Sequence, residues 1–536
     1  MPLFRPLPRQ LTRPLSWLAL AAWVVSMAFL IDRSYLKASA PNLATDLARY
    51  GRAAQWRGVY YRGEKIGFTV AQTVVTDDGY ELQEDGRLQM SLLGATTPAA
   101  IRTTARVDRA FALQSFDFSL DPGTGPISVS GSLDGLTLTL SITSGGATRT
   151  DTRILPEPPA LMLTLARQLA SEGLVAGTRR RSLMFDPATM RNEPVTIEVG
   201  AREVVRVSDR PLPAFRVELS FAGLRTTAWV TDTGEVVREE SPLGLLTVAE
   251  PQERAVALAV PRGVQLDLLE ASAVVPRSKY RIEEPRDVKR LRLRLDGADL
   301  SDPALEGVGQ HVDGNILEIR DARDLEAQAG TPDLSAFLAA EPLLESDAPE
   351  IQAEATRALA GVSGPRARAE RLTRHVNALL EKKPTVSIPS ALEVLRTRVG
   401  DCNEHTALFV ALARASGIPA RVSVGLVAVR NAFYYHAWPE VYLDEGGGRG
   451  LWLPVDPTLN QFPADATHLR LARGGLDQQV AILPLIGRVK MTILDLELAA
   501  GASPVLVGRG GPEQPGAVRA PRPAGRGSDR PCPGCP

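Results

Sequence analysis

The feature that most constrains the fold is a long stretch of alternating apolar and polar residues between about Gln55 and Val248. A two-residue period places successive side chains on opposite faces of a strand, so this stretch predicts antiparallel sheet with one face covered. One helix interrupts it, at about Pro159 to Glu172, where apolar residues recur at helical spacing. We therefore expect an antiparallel β-rich domain with one helix over residues 50–255. The pattern leaves open whether this sheet holds an apolar ligand or forms a rigid spacer.

Two further domains are expected after this sheet, which makes the fold class α+β. A shorter strand-rich region from about Ser278 to Ile319 predicts a small β-rich domain over residues 275–325. Apolar spacing of three and four residues then predicts helices at Ile351 to Val362 and Ala367 to Leu380. These helices open a third domain, which we place at residues 334–499.

The N-terminus carries a 17-residue uncharged, mostly apolar run from Leu15 to Ile31, at the short end of what spans a bilayer. Three arginines and no acidic residue precede it. The positive-inside rule then places the N-terminus in the cytoplasm. We predict that residues 1–35 form a cytoplasmic N-terminus and a single-pass transmembrane signal anchor, with the bulk of the chain on the periplasmic, extracytoplasmic side. The alternative is a cleavable signal peptide ending at Ala38-Ser39-Ala40, but this triplet lies well beyond the apolar run and Pro41 follows it.

Charge and cysteine usage narrow the function classes. The 61 basic and 62 acidic residues leave a net charge of −1, so nothing indicates nucleic acid as a partner. Residues 500–536 are rich in Gly, Pro and Arg and predict a disordered tail, which contains Cys532 and Cys535. Two thiols are too few for a zinc site, and we identify no cofactor or metal. Cys402 stands alone, and an unpaired cysteine in a large exported domain indicates chemistry rather than a disulfide framework.

Cys402 opens a segment with helical spacing that runs to Ala415, where a glycine and a proline end it. Cys402 then lies in the first turn of a helix, with Asp401 in the N-cap position. Free backbone N–H groups and the positive end of the helix dipole stabilise an anion there, so we expect a reactive thiolate. His405 follows one turn later, and we expect it to hydrogen-bond near the helix start rather than to act as a second base.

A histidine and an aspartate flank a predicted hairpin downstream of this helix. If the hairpin centres on Gly446, His436 and Asp456 lie opposite each other on one face. One ring nitrogen of His436 can then donate to Asp456 while the other faces Cys402, which is the arrangement used in acyl transfer. His468 has no partner visible in the sequence, and we expect it to be a surface or packing residue.

Three motifs in this region resemble those of the transglutaminase-like superfamily. They are Gly400-Asp401-Cys402-Asn403-Glu404-His405, His436-Ala437-Trp438 and Trp452-Leu453-Pro454-Val455-Asp456. The resemblance covers about residues 340–475 and implies that the domain at 334–499 is a papain-like catalytic domain. It implies Cys402 as the nucleophile, His436 as the base and Asp456 as the orienting carboxylate.

The expected activity is that of an exported, membrane-anchored cysteine enzyme that acts on amide bonds of a protein or peptide through a thioester. Hydrolysis, by a protease or amidase, is favoured over cross-linking because we find no acceptor-amine site. The alternative is a catalytically silent interaction module in which the β-rich domain binds a ligand or a protein. The complete set of three catalytic groups counts against that alternative.

Overall fold

The computed structural model describes residues 50–506 except 52, 93–94, 122–125, 145, 208–209, 222–223, 242–243, 258–272, 303–304, 331, 384–389, 475–484, 486–487 and 503–504. The predicted membrane anchor at Leu15 to Ile31, most of the predicted tail and its two cysteines lie outside these residues. Among the helices of the described segments, none has both the length and the apolar character needed to cross a bilayer.

Fourteen antiparallel strands form one sheet in the first half of the chain. The strands are β1 (Gln55–Tyr61), β2 (Glu64–Val75), β3 (Gly79–Leu92), β4 (Ala95–Asp108), β5 (Leu113–Asp121), β6 (Ile127–Asp134), β7 (Thr137–Ser144), β8 (Ala147–Ile154), β9 (Arg179–Asp186), β10 (Arg191–Val207), β11 (Arg210–Phe221), β12 (Leu224–Val230), β13 (Val236–Glu240) and β14 (Leu245–Ala249). Consecutive strands pair from β1 to β8 and from β9 to β14, and β1 pairs with β14 to join the two halves. The prediction of a β-rich chain is therefore confirmed.

Two helices pack on opposite faces of this sheet. Helix α1 (Met162–Glu172) connects β8 to β9 and buries Leu165 and Leu169, while the short α2 (Gln252–Val256) packs on β1 and β2. Because side chains alternate along a strand, Trp56 packs beneath α2 whereas Arg57 points to the face that α1 covers. The face toward α1 therefore carries charge in the middle of the sheet.

The described residues in the second half of the chain form four smaller sheets and four α-helices. Its strands are β15 (Tyr280–Arg281), β16 (Val288–Asp296), β17 (Gln310–Asp313), β18 (Ile316–Arg320), β19 (Gln328–Ala329), β20 (Glu381–Lys382), β21 (Val399–Gly400), β22 (Ala420–Val429), β23 (Ala432–Gly446), β24 (Arg449–Pro454), β25 (Leu469–Arg473), β26 (Lys490–Leu498) and β27 (Val505–Leu506). Its helices are α3 (Pro349–Ala358), α4 (Pro365–Leu379), α5 (Ala391–Thr397) and α6 (Cys402–Ala415), with short 3-10 turns at Pro285–Asp287, Ala322–Asp324 and Ser335–Phe337.

The small sheet differs from expectation in one strand. Its order is β17-β18-β16-β26, so β26 returns from the end of the region that we assigned to the catalytic domain. Leu291 and Leu293 of β16 pair with Leu496 and Ile493 of β26. These four residues belong to one continuous apolar core that also includes α6, which explains why the strand closes back onto this sheet.

Helix α6 is the centre of the remaining core. It packs against β22 and β23 of the five-stranded sheet β19-β24-β23-β22-β25 and against α3, α4 and α5 on its other sides. Residues such as Phe409 and Leu412 are fully buried along it. A helix enclosed on every side cannot shift without disrupting the whole core, so the position of its first residue is well fixed.

A buried ionic cluster joins this core to the small sheet. Glu440 of β23 accepts hydrogen bonds from Arg421 at 2.7 Å and from Arg470 at 2.8 Å, and Arg473 lies 3.3 Å away. Burial would raise the pKa of Glu440, but the three guanidinium groups outweigh it and lower the pKa to about 2. Arg470 also donates to the carbonyl oxygen of Leu305 at 2.8 Å, which ties the cluster to the segment before β17.

Candidate active site

Cys402 is the first residue of α6, as the sequence predicts. Asp401 caps the helix because its Oδ1 accepts from the backbone N–H of Asn403 at 2.9 Å. Glu404 completes a capping box, since its Oε2 accepts from the backbone N–H of Asp401 at 2.8 Å. Gly400 permits this turn because a β-carbon there would lie 2.2 Å from the side chain of Glu404.

His405 fixes the same turn from inside the protein, which agrees with expectation. Its ring Nδ1 lies 2.6 Å from the carbonyl oxygen of Asp401, so Nδ1 carries the hydrogen and donates. The ring is fully buried, and burial lowers the pKa of His405. His405 therefore supports the residue before Cys402 and is not placed as a second base.

A side-chain hydrogen bond docks the start of α6 onto β23, because the Thr406 hydroxyl donates to the carbonyl oxygen of Ala437 at 3.1 Å. Residues four apart share a helix face, so Cys402 lies on the face of α6 that meets this strand. Ala437 directly follows His436, and the thiol is thereby held beside the histidine predicted to be its base.

His436 and Asp456 form a hydrogen-bonded pair, with His436 Nε2 2.8 Å from Asp456 Oδ2. The predicted hairpin register is nevertheless wrong by two residues, because Glu440 pairs with Pro454. Strand β24 ends at Pro454, and the continued register would place Asp456 opposite Trp438. A shift of two residues leaves Asp456 on the same face of the sheet as His436, so its carboxylate still reaches His436 diagonally across the strands. Nε2 is occupied by Asp456, which leaves Nδ1 as the ring nitrogen for the thiol.

Asp456 is fully buried and accepts three hydrogen bonds. Besides His436, its Oδ2 accepts from His468 Nε2 at 3.1 Å, and its Oδ1 accepts from the backbone N–H of Leu459 at 2.8 Å. Burial would raise the pKa of Asp456, but the two imidazole rings outweigh it and hold the pKa well below the usual range. Asp456 is therefore ionised throughout the physiological range.

His468 is a site residue that the sequence did not reveal, and the expectation of a surface or packing residue without a partner is wrong. Its Nε2 faces Asp456, and its Nδ1 lies 3.2 Å from Oδ1 and 3.1 Å from the carbonyl oxygen of Asp465. Both nitrogens face acceptors, so both carry hydrogen and the ring is cationic. Burial opposes the charge, but the two carboxylates raise the pKa of His468 to about 10. Trp438 covers the ring edge-on, with centroids 5.2 Å apart.

The Cys402 thiol differs from the expected thiolate. The residue is half-buried. Burial of its sulfur, together with the nearby carboxylates of Asp401, Glu404 and Asp456, raises the pKa of the thiol well above that of a free cysteine, while the hydrogen bond from Ala437 lowers it. The helix terminus does not compensate because two of these carboxylates lie in the same turn. The side chain of Cys402 is therefore a thiol at rest, and it would need a base in order to react as a nucleophile.

Two histidines and one aspartate also form a possible metal donor set. The nearest donor atoms of His436, Asp456 and His468 all lie within 4.8 Å of one another. The two N···O separations of 2.8 and 3.1 Å are those of direct hydrogen bonds. An ion would have to replace both bonds and remove the protons that they hold, which Asp465 opposes by stabilising the cationic His468 ring.

The class of domain is set by a cysteine at a helix start that packs on a strand carrying His436, with Asp456 just after the neighbouring strand. The particular family follows from a sequence match, because residues 352–457 match the model of the transglutaminase-like superfamily. The chain therefore carries a transglutaminase-like domain, and the resemblance of its motifs to this superfamily is confirmed. The match begins within α3 and ends one residue after Asp456, so it spans the three predicted catalytic residues.

The similarities to solved structures are weaker, and two of them illustrate this. A β-barrel-like protein of the domain of unknown function DUF1849 from Brucella abortus is 13% identical, with a TM-score of 0.29, and the match covers 37% of this chain and 97% of that one. The periplasmic domain of TgpA from Pseudomonas aeruginosa, bound to ethylmercury, is 18% identical, with a TM-score of 0.21, covering 33% and 92%. Both TM-scores are low, so neither similarity bears on function. No curated protein sequence matches the chain.

Proposed function

We propose that this protein is a cysteine acyl-transfer enzyme that cleaves amide bonds of a protein or peptide through a thioester. One observation carries the proposal: His436 donates to Asp456 across 2.8 Å, and Thr406, one helical turn after Cys402, donates to the carbonyl oxygen of Ala437, the residue that follows His436. In the proposal, these three segments supply the nucleophile, the base and the orienting carboxylate. The transglutaminase-like match over the same residues supports this assignment.

The first half of the proposed reaction forms the thioester. Because the resting thiol is protonated, His436 Nδ1 takes the proton as the sulfur of Cys402 attacks the carbonyl carbon. The backbone N–H of Cys402, at the first position of α6, is placed to stabilise the oxyanion that forms. The C–N bond then breaks, and the imidazolium returns the proton to the leaving amine.

The second half releases the acyl group. His436 removes a proton from water, the hydroxide attacks the thioester carbonyl, and the C–S bond breaks to give a carboxylic acid and the Cys402 thiol. A primary amine in place of water would give a new amide and hence cross-linking. We favour hydrolysis because the sequence shows no acceptor-amine site. We also propose that the enzyme acts on the extracytoplasmic side of a membrane, anchored by Leu15–Ile31, on the basis of that apolar run alone.

The elevated pKa of the Cys402 thiol favours the rival proposal of a catalytically silent interaction module. In that case the pair of His436 and Asp456 would be structural and the thiol unreactive. The two proposals differ in whether Cys402 can be acylated, and this can be measured without knowing the natural substrate.

The experiment uses p-nitrophenyl acetate as an activated acyl donor with the full chain, in which Cys532 and Cys535 are replaced by serine. An enzyme gives a burst of p-nitrophenolate and an acetyl adduct on Cys402 that intact-mass spectrometry detects. The burst should vanish in Cys402→Ser and His436→Ala. It should persist in His311→Ala, because His311 is exposed and lies in the small sheet.

Absence of the burst and of the adduct in the folded wild-type protein would overturn the proposal and leave the silent module. When the burst is present, addition of glycine methyl ester separates the two outcomes of the thioester. Free acetate as the main product indicates hydrolysis, whereas N-acetylglycine methyl ester as the main product indicates acyl transfer.

A further inference from the structure

We propose that the fourteen-stranded sheet binds an uncharged amphiphile, in a cavity between the face that carries Arg57 and helix α1. The cavity has a volume of about 340 Å³, at the lower end of the range for small-molecule sites. We call it the sheet cavity, and it is lined by α1 and by residues of the central and flanking strands. This proposal goes beyond the proposed function, because none of its residues takes part in acyl transfer.

One wall of the sheet cavity is apolar. Leu161, Leu165 and Leu169 line it from the segment of α1, and Val217 and Leu219 line it from β11. These side chains are almost completely buried. A wall of this kind accepts a hydrocarbon chain or ring and excludes a group that needs hydration.

The opposite wall is polar and contains donors without acceptors. Arg57 is 8% exposed and pairs with Glu84 through one terminal nitrogen, but its Nε has no hydrogen-bond partner among the described residues. The amide nitrogen of Gln55, two residues earlier on β1, is also buried without a partner. A buried donor without an acceptor destabilises the protein, so both groups favour a ligand that supplies an acceptor.

The charges around these donors select the class of ligand. Three acidic side chains, Glu84, Asp186 and Glu239, line the same cavity together with the basic Arg57 and Arg167, and burial raises the pKa of Glu239. This near balance of charge favours no ionic head group: an anionic one would meet the acidic side chains, whereas an ammonium head group has no acceptor to offer Arg57 or Gln55. A head group with carbonyl and hydroxyl oxygens satisfies the donors and hydrogen-bonds the carboxyl group of Glu239. An uncharged acyl ester or amide with one short chain therefore fits best.

The test measures displacement of the fluorescent probe N-phenyl-1-naphthylamine from the full chain. The competitors are monodecanoyl glycerol, decanoate and decylammonium, all below their micellar concentrations. We expect monodecanoyl glycerol to compete at least about tenfold better than either charged molecule, which corresponds to about 1.4 kcal/mol. Decanoate or decylammonium as the best competitor would overturn the assignment of an uncharged head group.

Three variants locate the binding. Ala71→Phe fills the sheet cavity from β2 and should abolish displaceable probe fluorescence, whereas Ala201→Phe on the exposed part of β10 should not. Gln55→Leu removes one unpaired donor and should weaken monodecanoyl glycerol about tenfold. Unchanged or tighter binding by Gln55→Leu, or probe binding that survives in folded Ala71→Phe, would refute the site. Cys402→Ser should bind like the wild type, which separates this result from any failure of the proposed enzyme activity.

Discussion

Replacing His468 by glutamine should remove a charge that stabilises the fold and that determines the state of Asp456. His468 is buried between Asp456 and Asp465, and both of its ring nitrogens face acceptor oxygens. Glutamine keeps a comparable size but carries no charge, so two buried carboxylates lose their shared counter-ion. Breaking a buried ionic arrangement by removing one partner typically costs about 3–5 kcal/mol.

The raised pKa of His468 gives an independent value for the stabilisation that the charged ring provides, and it gives the pH range over which this stabilisation is lost. Folding raises it from 6.5 to about 10, and one pKa unit corresponds to about 1.4 kcal/mol, so the charged ring contributes up to about 5 kcal/mol. A raised pKa means that the folded state binds the proton more tightly than the unfolded state. The contribution is therefore complete below pH 6.5, decreases as the pH rises, and is lost above about pH 10.

The assay is urea unfolding of the wild type and of His468→Gln at several pH values between 6 and 10. The difference in the free energy of unfolding should be largest at pH 6 and nearly absent at pH 10. His311→Gln provides the control, because His311 is exposed and its replacement should leave the stability unchanged. A difference that does not depend on pH would mean that His468 packs as a neutral ring.

If His468→Gln does not fold, a second measurement on the wild type tests whether the His468 ring is charged. The ¹⁵N resonances of the histidine rings in the wild type distinguish an imidazolium from either neutral tautomer. We expect His468 to be cationic at pH 8, where a free histidine is neutral. A neutral ring at pH 8 would refute the reasoning, whatever the enzyme does.

Three further substitutions test the supports of the site. Thr406→Val leaves the buried carbonyl oxygen of Ala437 without its side-chain donor, so it should lower the free energy of unfolding by about 1–3 kcal/mol. It should also slow the acetylation of Cys402. Urea unfolding measures the first effect, and the release of p-nitrophenolate measures the second. Glu440→Gln should cost about 3–5 kcal/mol at pH 7, and the difference from the wild type should shrink between about pH 4.5 and 2 because the stabilising form is the ionised one. Gly400→Ala should disrupt the helix cap and reduce both thermal stability and acetylation, whereas Gly51→Ala, which adds a methyl group in open space, should change neither.

Local patterns predicted the elements of this protein well. The capping residue and the apolar spacing defined α6 at both ends, and alternation identified the antiparallel strands. Pairing between distant segments was harder to predict from the sequence. The hairpin register was wrong by two residues because the three glycines of its turn permit more than one centre, and only the observed ladder fixes it. The joining of β26 to β16 depends on a shared core that no local window contains.

The role of His468 was missed for the same reason, because it depends on a contact between segments that are not adjacent in the sequence. Asp465 lies three residues before it and could have indicated a local pair, but the contact with Asp456 depends on how the loop after β24 folds. The pKa of the Cys402 thiol was also mispredicted, because the helix terminus was considered without Glu404 and the burial of the sulfur. Both errors came from treating a site residue together with its sequence neighbours alone.

The contacts that run from Asp465 through His468 and Asp456 to His436 give the two histidines different tasks in the proposed mechanism. In that mechanism His436 accepts a proton from the thiol and returns it to the leaving amine, so the proton must not pass on to Asp456. His468 prevents this transfer, because a cationic ring on the far side of Asp456 keeps the pKa of the carboxylate low.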